Sequence, residues 1–195
     1  MEYNFSIKPK FKGSITVIFG PMFSGKSSKL LEYIKRYQYK QQRCLVFNYV
    51  NDNRYSQEEQ ITTHNGQSFK AQKISNLSDV LNISKNYDVI AIDEGQFFLD
   101  IADIADQLAN QGKIVIVAAL DASFQRKAFN NILDLVPICE EIIKLKAVCL
   151  ICKEDASYSK RKGSSKRVEM IGGEELYFPV CRVCFNENLI NLNRK

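Results

Sequence analysis

Residues 20–27 read Gly-Pro-Met-Phe-Ser-Gly-Lys-Ser and fit the pattern G-x-x-x-x-G-K-[ST]. Such a loop works only between a strand that delivers it and a helix that follows it. Its glycines let the chain curl until backbone N–H groups point inward, and the helix N-terminus adds positive partial charge. Both flanks are present. Ser14-Ile-Thr-Val-Ile-Phe19 is a β-branched run that reads as a buried strand, and from Gly25 to about Gln41 the residues Leu30, Leu31, Ile34 and Tyr37 recur at helical spacing. The loop Gly20, Pro21, Met22, Phe23, Ser24, Gly25, Lys26 and Ser27 is therefore expected to cradle the phosphates of a nucleotide, with Lys26 reaching the β and γ groups and Ser27 ligating Mg²⁺.

The rest of the chain continues the alternation. Cys44–Tyr49, Tyr87–Ile92, Lys113–Leu120 and Glu141–Lys146 are further strand candidates, and a helix from about Leu99 to Gln111 stops at Gly112. Nearly continuous apolar runs between helices imply an α/β fold with a parallel sheet covered on both faces. Residues 51–70 lack periodicity and read as a long loop with one short extended piece near Ile61–Thr63. Past Lys146 the character changes to cysteine pairs, a Lys/Arg/Gly/Ser stretch and a Gly172-Gly173 turn. The expected division is a nucleotide-binding domain over 1–146 and a smaller module over 147–195.

The 195 residues, 45% hydrophobic and 25% charged, exclude disordered and collagen-like classes. A chain of this length buries about 70% of its unfolded surface, enough for a core without disulfides. No stretch approaches the roughly 20 apolar residues of a membrane span, and Met1–Lys12 is polar without an apolar signal region, so a cytoplasmic location with no membrane partner is expected. The net charge of +5 arises entirely after Ile143: residues 1–143 carry 16 basic and 16 acidic groups, residues 144–195 carry 11 and 6.

Asp93 closes the strand ending at Ile92, where phosphate loops usually find a second ligand for their metal, so Asp93 joins Ser27 as a magnesium candidate. Glu94 comes next. A carboxylate beside the metal ligand is placed to take a proton from an attacking hydroxyl, the role of a catalytic general base.

Cys149-Leu-Ile-Cys152 and Cys181-Arg-Val-Cys184 are two C-x-x-C units. Brought together, Cys149, Cys152, Cys181 and Cys184 form a closed tetrahedral site for structural Zn²⁺. Redox pairs are the competing reading, although redox C-x-x-C motifs sit at strand-to-helix turns, unlike these. Cys44 and Cys139, inside apolar runs, read as buried free thiols.

The phosphate loop, Asp93-Glu-Gly-Gln-Phe-Phe98, Ala118-Ala-Leu-Asp-Ala-Ser-Phe-Gln-Arg-Lys127 and the paired C-x-x-C units occur here in an order that closely resembles the type II thymidine kinases, from about Gly13 to Phe185. Asn53-Arg54-Tyr55-Ser56, Thr63-His64-Asn65-Gly66, Tyr158-Ser159-Lys160-Arg161 and Glu169-Met-Ile-Gly-Gly173 extend the resemblance. It implies a recombinase-like P-loop NTPase domain and a small zinc domain whose long loop closes over a thymine base. It also implies ATP as donor, thymidine as acceptor, feedback inhibition by thymidine triphosphate and a homotetramer. Carried over position by position, Glu94 resembles the base acting on the deoxyribose 5′-hydroxyl. Asp52, Asn53, Arg54, Asp93 and Gln96 resemble residues around the ATP phosphates. Phe97, Leu120, Phe124, Phe129 and Tyr177 resemble the nucleoside walls, Met22 and Ser159 would face the 5-methyl group, and Val168, Glu169, Met170, Ile171 and Gly172 would meet the base edge. Ser159 stands where vertebrate cytosolic members carry threonine, which widens the space near C5 and implies acceptance of deoxyuridine. Tyr49-Val-Asn-Asp-Asn also departs from the more usual acidic and threonine pattern.

The sequence also admits two other readings. The cluster Lys160, Arg161, Lys162, Lys166 and Arg167 would suit a nucleic-acid-stimulated ATPase, but the nearby aromatics lack the spacing of a stacking platform and no nucleic-acid partner is expected. A nucleoside monophosphate kinase would need an arginine-rich lid for the acceptor phosphate, and none is evident. Lone His64, on a polar loop, carries no expected catalytic role.

Overall fold

The run Ser14–Phe19 forms β1, which lies within a six-stranded sheet in a computed structural model that describes residues 12–50, 60–62, 68–163, 167–168, 170 and 172–187. In chain order there follow α1 (Lys26–Tyr39), β2 (Cys44–Tyr49), β3 (Gln60–Thr62), β4 (Ser68–Lys70), β5 (Gln72–Ile74), α2 (Val80–Ile83), β6 (Val89–Ile92), α3 (Ile101–Asn110), β7 (Ile114–Ala119) and β8 (Glu141–Lys144). Then come β9 (Ala147–Val148), β10 (Asp155–Ala156), β11 (Tyr158–Arg161), β12 (Tyr177–Val180) and α4 (Arg182–Asn186).

The sheet order is β5-β2-β6-β7-β1-β8, and every pairing is parallel. All carboxyl ends therefore share one edge, the edge on which ligands bind in open α/β sheets. Gly20 after β1, Asp93 after β6 and Leu120 after β7 all emerge there. Side chains alternate along the strands and supply two cores. Ile15, Val17, Phe47, Ile90, Ile92, Val115 and Val117 pack under Ile101, Ile104, Ala105 and Leu108 of α3. Ile18, Val46, Val89, Ala91, Ile116 and Ala118 pack under Leu30, Leu31 and Ile34 of α1. The expected doubly covered parallel sheet is thus the observed one.

After Lys146 the small antiparallel pairs β9 with β10 and β11 with β12 surround a third apolar cluster of Ala147, Cys149, Ala156, Val180 and Cys184. Among the described residues no helix is long and apolar enough to cross a membrane.

The expected long loop is partly extended. β3 overlaps the piece expected near Ile61 and pairs antiparallel with β4, while residues 51–59 and 63–67 lie outside the described residues. β5, which the sequence reading missed, adds a parallel edge strand beside β2. Its Gln-Lys-Ile has no apolar run because an edge strand of three residues borrows its order from its neighbour. Cys44 and Cys139 are free thiols but only half-buried, a correction to the expectation of full burial. Burial nonetheless pushes the Cys44 thiol up to about 11, which keeps it protonated and unreactive at neutral pH.

Candidate active site

The phosphate loop is wound by two left-handed residues, Phe23 (φ 65°) and Gly25 (φ 81°). Gly25 leads directly into α1, whose first turn has neither a side-chain cap nor an acidic residue. Uncapped N–H groups at a helix start are an anion site in waiting. Lys26 is only 8% exposed, and its Nζ donates to the Pro21 carbonyl at 2.9 Å, so the cation is folded back over its own loop. Among the described residues the buried Ser24 Oγ has no hydrogen-bond partner, which suits a ligand oxygen arriving in that curl.

Asp93 sits at the end of β6, 3% exposed, and accepts hydrogen bonds from the Ser27 hydroxyl and from the Glu94 N–H, the latter at 3.0 Å. Burial first, and the Glu94 charge second, push its carboxyl up to about 7 despite the opposing pull of Ser27, the N–H and Lys26. A hydroxyl and a carboxylate in contact, beside a phosphate loop, are the hard oxygen donors that suit Mg²⁺.

Glu94 occupies the left-handed region (φ 55°), a conformation that costs a non-glycine residue roughly 1–2 kcal/mol. Gly95 follows because a Cβ there would approach Val117 Cγ1 to 2.6 Å, so the chain passes directly against β7. The turn carries the Glu94 side chain into a pocket. Fully buried Gln96 holds it there: its amide Nε2 donates to Glu94 Oε2 and its Oε1 accepts the Leu120 N–H at 2.9 Å. Asn130 Nδ2 in turn donates to the Gln96 carbonyl at 3.0 Å.

The pocket is lined by Met22, Glu94, Phe97, Leu120, Ala122, Ser123, Phe124, Phe129, Ser159, Val168, Met170, Gly172 and Tyr177. Residues as far apart in sequence as Met22 and Tyr177 thus line one pocket. Ala122 and Ser123 were missed, since small side chains carry no chemical signal of their own. Phe97 stacks on Tyr49 (centroids 5.0 Å apart, planes at 22°) and meets Phe129 edge to face at 5.7 Å, making a rigid aromatic wall. Asp52, Asn53, Arg54, His64, Lys166, Glu169 and Ile171 lie outside the described residues.

Strand β11 alternates between two neighbours. Ser159 and Arg161 are buried toward the pocket side: Ser159 Oγ accepts the Met22 N–H at 2.9 Å, and Arg161 donates to Tyr177. Tyr158 and Lys160 face α4 instead. Tyr158 packs edge to face on Phe185, and Lys160 Nζ donates to the carbonyls of Cys184, Phe185 and Glu187. Lys162 Nζ donates to the Glu174 carbonyl. Much of the basic cluster is therefore engaged in binding its own backbone.

The thiols of Cys149, Cys152, Cys181 and Cys184 all lie within 4.8 Å of one another, with Cys152 and Cys181 sulfurs 3.6 Å apart. A tetrahedral ion with metal–sulfur bonds of about 2.3 Å separates its ligands by about 3.8 Å, so this cluster could hold zinc. The thiols are already differentiated. Burial raises the Cys149 thiol, but N–H groups of Cys152, Cys181 and Ile151 outweigh it and bring it down to about 6; burial and neighbouring thiols push Cys184 up to about 12.

A family profile described as "Thymidine kinase" matches residues 13–185. The thymidine kinase of Variola virus (isolate Human/India/Ind3/1967) is 51% identical over 173 residues, covering 89% of this chain and 97% of that one. The thymidine kinase of Monkeypox virus is 50% identical over the same length and coverage, as is that of Vaccinia virus (strain Western Reserve). Among solved structures, the Legionella pneumophila ATPase DotB shows a partial likeness, with a TM-score of 0.46 at 16% identity over 74% of this chain and 44% of its own.

Proposed function

Since this chain belongs to the thymidine kinase family, we propose that it transfers the γ-phosphate of MgATP to the 5′-hydroxyl of thymidine, and of deoxyuridine, giving the nucleoside monophosphate. One observation carries the reading: Glu94 reaches into an aromatic-walled pocket while the adjacent Asp93 touches Ser27 of the phosphate loop. An acceptor alcohol in the pocket and a triphosphate on the loop would then meet at Glu94.

In this reading the backbone amides of residues 20–27 and Lys26 grip the phosphates, and Glu94 takes the proton of the attacking 5′-hydroxyl as transfer proceeds in line. Gln96 serves the Glu94 carboxylate, fixing its direction, rather than the nucleotide itself. Ser27 and Asp93 would hold Mg²⁺, which would supply charge neutralisation at the phosphates. The flat pyrimidine lies between Phe97, Phe124 and Tyr177, its 5-substituent toward Met22 and Ser159, and its edge toward 168–172. Asp52, Asn53 and Arg54 support the phosphates from the donor side.

Structural Zn²⁺ on Cys149, Cys152, Cys181 and Cys184 belongs to the same reading, as do a division into 1–146 and 147–195, a homotetramer, feedback inhibition by thymidine triphosphate and a cytoplasmic location. The engagement of Lys160, Arg161 and Lys162 with backbone carbonyls supports a nucleoside over a nucleic acid as partner. The deciding experiment supplies MgATP with thymidine, deoxyuridine, deoxycytidine, thymidylate or single-stranded DNA in turn and identifies the product. Thymidine and deoxyuridine monophosphates are expected. Consumption of ATP with thymidylate or DNA alone would overturn the assignment.

A further inference from the structure

Arg161 is a cation in an unusual place. It is 8% exposed, and its guanidinium lies 4.0 Å from the ring centroid of Phe124 and 4.9 Å from that of Tyr177, both walls of the pocket. Taking such a charge out of water costs several kcal/mol unless its donors are well used. The partners it has among the described residues are two aromatic faces, a phenol and two backbone carbonyls. Its terminal nitrogens donate to the Arg167 carbonyl, to the Val168 carbonyl at 3.1 Å and to the Tyr177 hydroxyl. Tyr177 passes the bond on: its hydroxyl donates to the Met170 carbonyl at 2.8 Å. One guanidinium, directly or through one phenol, thus fixes the carbonyls of residues 167, 168 and 170, two of which belong to residues that line the pocket.

We infer that Arg161 is a positioning residue that latches the covering segment, so that nucleoside affinity depends on its fork of donors although it lies behind the wall that meets the base. The inference rests on the proposed nucleoside reading of this pocket. A rigid planar fork is what the arrangement needs, because it reaches two successive carbonyls and a hydroxyl at once while its faces stack on the rings. Lysine offers a single point charge and cannot span all three. With the latch gone, the segment must be ordered by the nucleoside itself, and that ordering cost appears as lost affinity rather than slower chemistry.

The experiment measures steady-state constants for thymidine and ATP in the wild type, Arg161→Met, Arg161→Lys, Tyr177→Phe and Arg161→Met/Tyr177→Phe. Thymidine phosphorylation by the wild type tests the functional reading separately from the latch. For Arg161→Met and Arg161→Lys the expected result is a thymidine KM raised about tenfold or more, with kcat at saturation and the KM for ATP within about threefold of wild type. The double variant is expected to lose less affinity than the two single losses combined, because both substitutions break one relay. A thymidine KM unchanged within about twofold in Arg161→Met, or losses that simply add in the double variant, would overturn the latch. Should Arg161→Met fail to fold, Tyr177→Phe decides. It removes the bond to Met170 and keeps the ring, so a raised thymidine KM with preserved kcat supports the latch and an unchanged KM overturns it.

Discussion

The hydroxyl of Ser159 accepts a 2.9 Å hydrogen bond from the backbone N–H of Met22, across 137 positions of sequence. The contact is buried and joins the phosphate loop to the hairpin that brings Ser159 and Tyr177 to the pocket. Ser159→Ala leaves that N–H unsatisfied at a cost of about 1–3 kcal/mol, so affinity for ATP and for thymidine should weaken together. Ser159→Thr keeps the bond and adds a methyl group beside Met22. It should retain thymidine turnover while discriminating more strongly against bulky 5-substituents. Kinetics with thymidine and 5-bromodeoxyuridine separate the two effects, and a change confined to one substrate in Ser159→Ala would sever the proposed connection.

Glu94→Gln is expected to lower kcat by about a hundredfold or more while leaving ATP affinity nearly intact, since general-base assistance is lost and the phosphate loop is untouched. Single-turnover phosphoryl transfer gives the rate directly, and near-normal transfer would remove Glu94 from the mechanism.

Gln96→Leu should act in the same direction but less severely. It frees the Glu94 carboxylate from the amide that aims it and leaves the Leu120 N–H without its acceptor. Turnover should drop about tenfold with little change in the KM for ATP, a pattern of misdirected chemistry rather than lost binding. A raised KM for ATP with normal kcat would instead return Gln96 to the nucleotide.

Asp93 ordinarily ionises near 3.8, and burial together with Glu94 pushes it up to about 7 in the folded chain. The fold therefore resists its ionisation. The resulting destabilisation is absent below about pH 4, grows as pH rises, and is complete above about pH 7. In magnesium-free protein, Asp93→Asn should remove this part of the decline in melting temperature between about pH 4 and pH 7, even as phosphoryl transfer is lost. Parallel melting profiles for variant and wild type would contradict that origin.

If zinc loads the four-cysteine cluster, chelating it should loosen β9, β10, the Val180 end of β12 and α4 well before the six-stranded sheet, because Ala147, Cys149, Ala156, Val180 and Cys184 pack in a cluster of their own while Tyr177 joins the core of the sheet. Hydrogen exchange after chelation should show early loss of protection in β9, β10 and α4 with β1, β2, β6 and β7 intact. Thymidine affinity should fall in step. Zinc uptake should release protons, since Cys184 lies well above neutrality, and should strengthen with pH. Unchanged nucleoside affinity in stripped protein would break the coupling.

Much of the fold is legible in the sequence. The β-branched runs at 14–19, 89–92 and 114–119 announce a sheet buried on both faces, and the loop at 20–27 locates its functional edge. The pocket residues were legible only through family resemblance, because Phe124, Phe129 and Tyr177 are chemically ordinary apolar positions until the fold brings them together. β5 escaped because three edge residues need no apolar signature. The employment of Arg161 escaped because charge patterning suggests a solvated face, and only the coordinates turn that side chain inward. Gln96 likewise has two hydrogen-bonding ends, and which neighbours they choose is a property of packing.

The alternation of β11 between pocket and cysteine-bearing helix restricts how this lineage can change its substrate. Exchanges at 159 or 161 retune the pocket and leave the anchoring of α4 alone. An insertion or deletion of one codon within the strand would instead swap the two faces, sending Lys160 to the pocket and Arg161 to the helix in a single event. Drift in specificity is accordingly confined to point replacement at every second position, and length variation has to be absorbed in the turns on either side.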